Sequence, residues 1–324
     1  MDESAIMYET PIISVGDLQG NQLYIKREDL IPFSFGGNKV RIAAEYFQDM
    51  MNLHKDCLIG YGNARSNLCR VLANLSALKR ITCHIISPKD DDGTYVDTSN
   101  SRMVELCGVE IHTCSKSNVA ETVETIFENC KYQGYSPYYI YGNKYGKGNE
   151  SVPIRAYVKT YSEICRQEQA LKLKFDYIFL ATGTGMTQSG LIAGAELHSD
   201  IRNIIGISVS RSSVQEYQVI KNFLHSYFME CHLMRQPLNE IVVCDDYICG
   251  GYGKYNEFVI KVIKDNFLNY GIPMDTTYVG KGFYGMQEYV KRMGITEKKI
   301  LFIHTGGTPL FFDYIEILSG GHRD

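Results

Sequence analysis

Apolar residues along the chain alternate between two spacings. Val40, Ala43, Ala44, Phe47 and Met51 recur at the interval of one helix face, as do Leu68, Val71, Leu72, Leu75 and Leu78. Between such stretches lie short apolar runs bounded by glycine and polar turns, at 57–60, 81–86, 177–181, 204–209, 241–244 and 300–304, each of strand length. The pattern also predicts strands at 12–15 and 22–26 around a Gly-Asp-Leu-Gln-Gly-Asn turn, and one near 109–113. It predicts further helices over 98–107, 117–131, 152–168, 191–197, 213–229, 255–269 and 283–293. Residues 136–150, rich in Tyr, Gly, Asn and Lys, read as a long loop. The strand–turn–helix–strand order from 57 to 86 is a βαβ unit. Alternation through the whole chain implies a parallel sheet covered by helices on both faces.

Composition adds mainly exclusions. A chain of 324 residues, 44% hydrophobic and 22% charged, is long and apolar enough for two domains or one large α/β unit. A net charge of −4 gives no footing for nucleic acid or an anionic membrane. No apolar run is long enough to span a bilayer, and the acidic start Met1-Asp2-Glu3-Ser4 lacks a signal-peptide pattern. The ten cysteines include no C-x-x-C pair and no Cys/His set at zinc spacing, so no metal site is expected and a reducing cytoplasm is.

Two stretches carry candidate chemistry. In Phe35-Gly36-Gly37-Asn38-Lys39-Val40-Arg41 a lysine stands where a helix begins. An ammonium at a helix N-terminus opposes the macrodipole, which favours the neutral, nucleophilic amine that Schiff-base chemistry needs. A solvated surface lysine is the plainer alternative. Far downstream, Thr182-Gly183-Thr184-Gly185-Met186-Thr187-Gln188-Ser189-Gly190 joins an apolar strand to a helix, the context of a phosphate cradle. It has neither the Lys of a nucleoside-triphosphate loop nor the G-x-G-x-x-G spacing of a dinucleotide site. A helix-start lysine together with such a cradle suggests a phosphate-bearing aldehyde, pyridoxal phosphate. Ser66 can cap the helix that begins at Asn67.

These motifs, with Ile25-Lys26-Arg27-Glu28-Asp29-Leu30, Ser66-Asn67, Gly251-Tyr252-Gly253, Tyr278-Val279-Gly280-Lys281 and Phe302-Ile303-His304-Thr305-Gly306-Gly307, follow one another over nearly the full chain. In that order they resemble the pyridoxal-phosphate family that contains 1-aminocyclopropane-1-carboxylate deaminase and D-cysteine desulfhydrase. The resemblance implies a tryptophan-synthase-β-like (fold type II) α/β enzyme with two parallel-sheet domains. The small domain would span 46–158, inserted between residues 1–45 and 159–324 of the large one. It casts Lys39 as the Schiff-base lysine and Asn67 as partner of the cofactor's ring oxygen. Gly183, Thr184, Gly185, Met186 and Thr187 would hold the phosphate, and Thr305 would face the pyridine nitrogen. Ser66, Asn67, Arg65, Tyr252 and Tyr278 would meet the substrate, with Ser66, Tyr252 and Tyr278 joining Lys39 in catalysis.

The sequence also departs from that pattern. The deaminases carry Glu where Val279 stands and Leu where Thr305 stands, which favours the desulfhydrase-like branch. Arg65 replaces a usual Gln, and Ile42 a usual basic residue whose phosphate contact Arg41 or Lys281 would take over. The resulting expectation is a cytoplasmic, homodimeric lyase that eliminates a β-substituent from a small amino acid and releases ammonia and a keto acid. Alternatives are ring-opening deamination, elimination or β-replacement on an acidic or sulfonated amino acid, and a pyridoxal-phosphate carrier without activity.

Overall fold

The computed structural model describes residues 8–63, 65–89, 96–233 and 237–319. In chain order the strands are β1 (Ile12–Leu18), β2 (Asn21–Arg27), β3 (Cys57–Tyr61), β4 (Thr82–Pro88), β5 (Glu110–Cys114), β6 (Pro137–Tyr139), β7 (Tyr177–Thr182), β8 (Asn203–Ser208), β9 (Val242–Cys244) and β10 (Lys299–His304). The helices are α1 (Asn38–Asn52), α2 (Asn67–Lys79), α3 (Ser99–Leu106), α4 (Val119–Tyr132), α5 (Ile154–Leu171), α6 (Met186–Leu197), α7 (Ser213–Glu230), α8 (Glu257–Tyr270), α9 (Val279–Arg292), α10 (Thr308–Phe312) and α11 (Ile315–Leu318).

The strands form two sheets rather than one. The larger has the order β1-β2-β10-β7-β8-β9 and is parallel except for β1, which returns antiparallel to β2 through a tight turn at Gln19 and Gly20. The smaller, β5-β4-β3-β6, is parallel throughout and takes all its strands from between Cys57 and Tyr139. Side chains of the large sheet alternate between two cores. Ile178, Leu180, Leu301 and Ile303 join an apolar core that continues into the small sheet, whereas Phe179, Ile300 and Phe302 pack with α8 and α9 on the other face.

Several boundaries differ from the sequence expectation, each for a physical reason. Helix α6 begins at Met186 and not at 191, because it is buried on nearly every side and shows no polar face to mark its start. Helix α9 begins at Val279 and not at 283, its first turns being glycine-rich. The expected loop at 136–150 contains β6, whose three residues are buried against β3. Met51 and Leu78 are exposed, and Met50 takes the buried position at the end of α1. Helices α10 and α11 carry no periodicity long enough to read.

The tightest helix contact, between α5 and α6, rests on missing side chains. A Cβ on Gly190 would stand 2.4 Å from Tyr157 Cβ and 2.7 Å from the Ile154 carbonyl. Neither is a flexible side-chain end that can swing away. Ala gains ~1 kcal/mol in helix propensity over Gly, but overpacking of this kind costs typically ~1–3 kcal/mol. Gly190→Ala is therefore expected to lower the urea midpoint of unfolding, and a raised midpoint would show that the helices separate freely.

Candidate active site

Parallel strands present their C-terminal ends along one edge, where loops gather ligand-binding groups. Because β10 and β7 are neighbours, Thr305, just beyond β10, and the 183–187 turn, just beyond β7, lie side by side. The Lys39 loop closes on them by direct backbone contact. Gly37 and Gly306 have φ of 102° and 100°, and a Cβ on Gly306 would stand 2.5 Å from Gly37 Cα. Asn38 then ties the start of α1 to both neighbours. Its backbone N–H donates to the Thr305 carbonyl at 3.0 Å and its side-chain amide donates to Thr187 Oγ1 at 2.8 Å.

Lys39, the next residue, is half-buried, and no hydrogen-bond partner meets its ammonium among the described residues. Burial lowers its pKa to about 8, with the nearby Glu216 carboxylate opposing in part. The sequence argument reached the same direction through the helix dipole; burial is the larger cause. Glu216 lies below the turn, accepting from Thr182 Oγ1 at 2.8 Å and from Arg211 at 3.0 Å.

The turn itself has Gly183 and Thr184 half-buried, Gly185 in the left-handed region at φ 75° as the cap of α6, and Met186 and Thr187 buried. The backbone N–H groups of Met186, Thr187 and Gln188 meet no acceptor among the described residues. Unpaired N–H groups at a helix N-terminus suit an anion. Beside them stands a half-buried amine with no acidic hydrogen-bond partner. A phosphate-bearing aldehyde fits this pair of features: the N-terminus of α6 would hold its phosphate and Lys39 would meet its aldehyde.

The opposite wall comes from the small sheet and from the 248–253 loop. Ser66 caps α2 by accepting from the Cys69 N–H at 3.2 Å. The capping role is therefore real, and it leaves the hydroxyl at the mouth of the β3–α2 turn. Asn67 is buried, and its side-chain oxygen accepts from Asn100 Nδ2 at 3.0 Å, which fixes which way the amide faces. Arg65 packs its guanidinium against Gly253, where a Cβ would stand 2.9 Å from Nε, and its charge lies close enough to act on the Tyr252 phenol. The hydroxyls of Tyr252 and Tyr278 are hydrogen-bonded to each other, and Tyr252 Oη lies 3.4 Å from Asn63 Oδ1. Burial raises both phenol pKa values, so both hydroxyls stay protonated and act as donors or acids.

Two expected phosphate contacts are corrected. Arg41 is paired with Glu28 at 2.7 Å and Glu163 at 2.9 Å, inside a buried network that also holds Lys26. Lys281 donates to the carbonyls of Val209, Ile248 and Gly251 at 3.1, 2.9 and 2.6 Å, fastening the loop that carries Tyr252. His304 is likewise structural, with Nε2 donating to the Pro273 carbonyl at 2.7 Å.

The structure adds residues that the sequence reading missed. Asn100 holds Asn67, as above. Buried Arg70 reaches from α2 to the Gly36 carbonyl at 3.3 Å, joining the small sheet to the Lys39 loop. Asp275 accepts the backbone N–H groups of Thr277, Tyr278 and Val279 and so sets Tyr278 at the head of α9. Burial pushes its carboxyl up to about 6 against the pull of those three donors. Asp275 was the one readable signal, an Asx-type turn residue ahead of a helix.

Comparison with known proteins points to the same cofactor. A family model described as "Pyridoxal-phosphate dependent enzyme" matches residues 4–306. D-cysteine desulfhydrase of Klebsiella pneumoniae (strain 342) is 29% identical over 311 residues, covering 93% of this chain and 91% of that protein. The solved structure of an ACC deaminase homologue superposes with a TM-score of 0.83 at 28% identity, over 98% of this chain and 94% of that one. Cysteine synthase of Entamoeba histolytica shares the fold, with a TM-score of 0.68 at 13% identity over 100% of this chain and 92% of that one.

Since only a neutral amine is nucleophilic, the reactivity of Lys39 in cofactor-free protein follows its deprotonated fraction. Competitive acylation against exposed lysines, read by peptide mapping, is expected to give a rate at Lys39 that rises with pH to a plateau, with its midpoint near about 8 rather than 10.5. A midpoint at the ordinary lysine value would contradict the burial of this amine.

Proposed function

The chain belongs to the pyridoxal-phosphate-dependent enzymes, and from that premise we propose that it is a D-cysteine desulfhydrase-like lyase. It acts on a small amino acid, breaks the Cα–H and Cβ–S bonds, and with one water releases sulfide, ammonia and a keto acid. The observation that carries this reading is the pairing of a depressed lysine amine with a protonated tyrosine pair, joined through the Gly306–Gly307 loop. A Cβ on Gly307 would stand 2.4 Å from Asp275, the residue that seats Tyr278.

The bound cofactor supplies an electron sink for the pair left at the substrate's Cα. The protein supplies the rest. Lys39 Nζ, neutral in a useful fraction near pH 8, takes the Cα proton. Tyr278 Oη, kept protonated by burial and by its bond to Tyr252, gives a proton to the departing sulfur. Ser66 and Asn67 receive the substrate carboxylate at the N-terminal end of α2, where the helix dipole favours an anion. Gly183, Thr184, Gly185, Met186 and Thr187 hold the phosphate, and Thr305 borders the ring side without a fixed negative charge. Ring-opening deamination is the weaker reading, because Val279 and Thr305 replace the Glu and Leu that the deaminase resemblance calls for. In the same reading residues 46–158 form the small domain, and the enzyme works as a homodimer in the cytoplasm. All ten cysteines standing as thiols supports that compartment.

Purified enzyme loaded with pyridoxal phosphate is expected to release sulfide, ammonia and pyruvate from D-cysteine in equal amounts. Tyr278→Phe should retain cofactor and lose turnover by ~10²–10⁴-fold; turnover within a few-fold of wild type would reduce Tyr278 to a packing residue. Arg65→Gln, assayed on D-cysteine, D-serine and L-cysteate, reads the substrate class. A selective loss of roughly one to two decades in kcat/KM on the sulfonate follows if Arg65 pairs with a second substrate anion. Equal changes on all three would leave it a structural role. Failure of every β-substituted amino acid, D and L, would overturn the elimination reading.

A further inference from the structure

The small sheet assembles a cluster that lies apart from the cleft and that no spacing along the chain announces. Cys57 opens β3 and His84 sits on β4, where it pairs with Ile59. Residues two apart on a strand share a face, so Cys57 and His84 point the same way. Helix α4 lies over that face and delivers Cys130. The two sulfurs are 3.5 Å apart, and Cys130 Sγ is 3.4 Å from His84 Nε2. All three ligand atoms fall within 4.8 Å of one another. Cys57, Cys130 and His84 are 0%, 1% and 8% exposed.

These distances match a coordination polyhedron. Tetrahedral zinc with bonds of about 2.3 Å to sulfur and about 2.0–2.1 Å to nitrogen has sulfur–sulfur edges of about 3.8 Å and sulfur–nitrogen edges of about 3.6 Å. The Cys57–Cys130 and Cys130–His84 edges are each within a few tenths of an ångström of these values, and the Cys57–His84 edge is within 4.8 Å, before any ion draws the cluster together. The far side of the His84 ring gives an independent observation. Its Nδ1 is 3.3 Å from Glu110 Oε2 and 3.1 Å from His112 Nε2, both on the adjacent strand β5. A carboxylate behind the second ring nitrogen is the usual support of a metal-bound histidine, since it fixes the tautomer and strengthens the donor.

We propose that Cys57, Cys130 and His84 bind one thiophilic divalent cation of the zinc class, with Glu110 orienting His84. The three protein ligands leave a fourth position for water. Binding joins β3, β4 and α4, and so braces the small sheet at a distance from the cofactor cleft. Because thiolate is the form that binds such an ion, its entry displaces the two thiol protons, and its affinity falls as pH falls.

The test is cobalt titration of reduced, metal-stripped enzyme carrying pyridoxal phosphate, read as a difference spectrum. One equivalent should bring thiolate-to-cobalt charge-transfer and tetrahedral d–d bands that zinc abolishes. Cys57→Ser and Cys130→Ser should each lose them. Glu110→Gln, at an exposed position, should bind cobalt ~10–100-fold more weakly. Zinc should raise the Tm of the wild type and leave that of Cys130→Ser unmoved. Absence of the bands in the wild type overturns the proposal, as does their persistence in either serine variant or undiminished affinity in Glu110→Gln. Recovery of a Cys57–Cys130 disulfide from protein that takes up no metal overturns it as well.

Discussion

The structure turns on a contact between two backbones that have no side chains to separate them. Gly37 and Gly306 meet at the C-terminal edge of the large sheet, where a Cβ on Gly306 would collide with the Gly37 Cα and one on Gly37 with the Thr305 carbonyl. The contact brings the Asn38 N–H onto the Thr305 carbonyl and the Asn38 amide onto Thr187. The start of α1, the end of β10 and the head of α6 are thereby locked in one place. Lys39 owes its position to that lock, and its depressed basicity to the burial that results.

The same lock reaches the small sheet. Arg70 ties α2 to the Gly36 carbonyl, and Asp313, after α10, accepts the N–H and hydroxyl of Ser99 at the head of α3. Loops from two sheets thus enclose a set of polar groups that are only partly hydrated. Low hydration has opposite consequences for the two kinds of acid it surrounds. It favours the uncharged lysine and the uncharged tyrosines, which are the forms that a base at Cα and an acid at the leaving group require. Burial is the largest influence on both the amine and the phenols, with Glu216 opposing it at Lys39 and Arg65 opposing it at Tyr252.

Much of this was legible along the chain. Strand and helix alternation, the helix beginning at the Lys39 loop and the glycine-rich turn after β7 all follow from local patterns that the fold retains. What was hidden is what only tertiary contact creates. Arg41 and Lys281 look like free cations in sequence, yet one is bound to Glu28 and Glu163 and the other to three backbone carbonyls. Asn100 and Arg70 look like ordinary helix residues and prove to hold Asn67 and Gly36. Buried helices such as α6 show no amphipathic stripe, so their starts cannot be read. The Cys57, His84 and Cys130 cluster is the strongest case, because the pairing of β3 with β4 and the packing of α4 on them join residues that are 27 and 46 positions apart.

The claim at the centre of this account is that the cofactor is carried by the lysine that the glycine contact positions. Reduction of the cofactor-loaded enzyme with borohydride, followed by proteolysis and mass mapping, tests it directly. The account predicts a single reduced pyridoxyl-phosphate adduct on Lys39. An adduct on Lys281 or any other lysine, or none on protein that binds the cofactor, would contradict it.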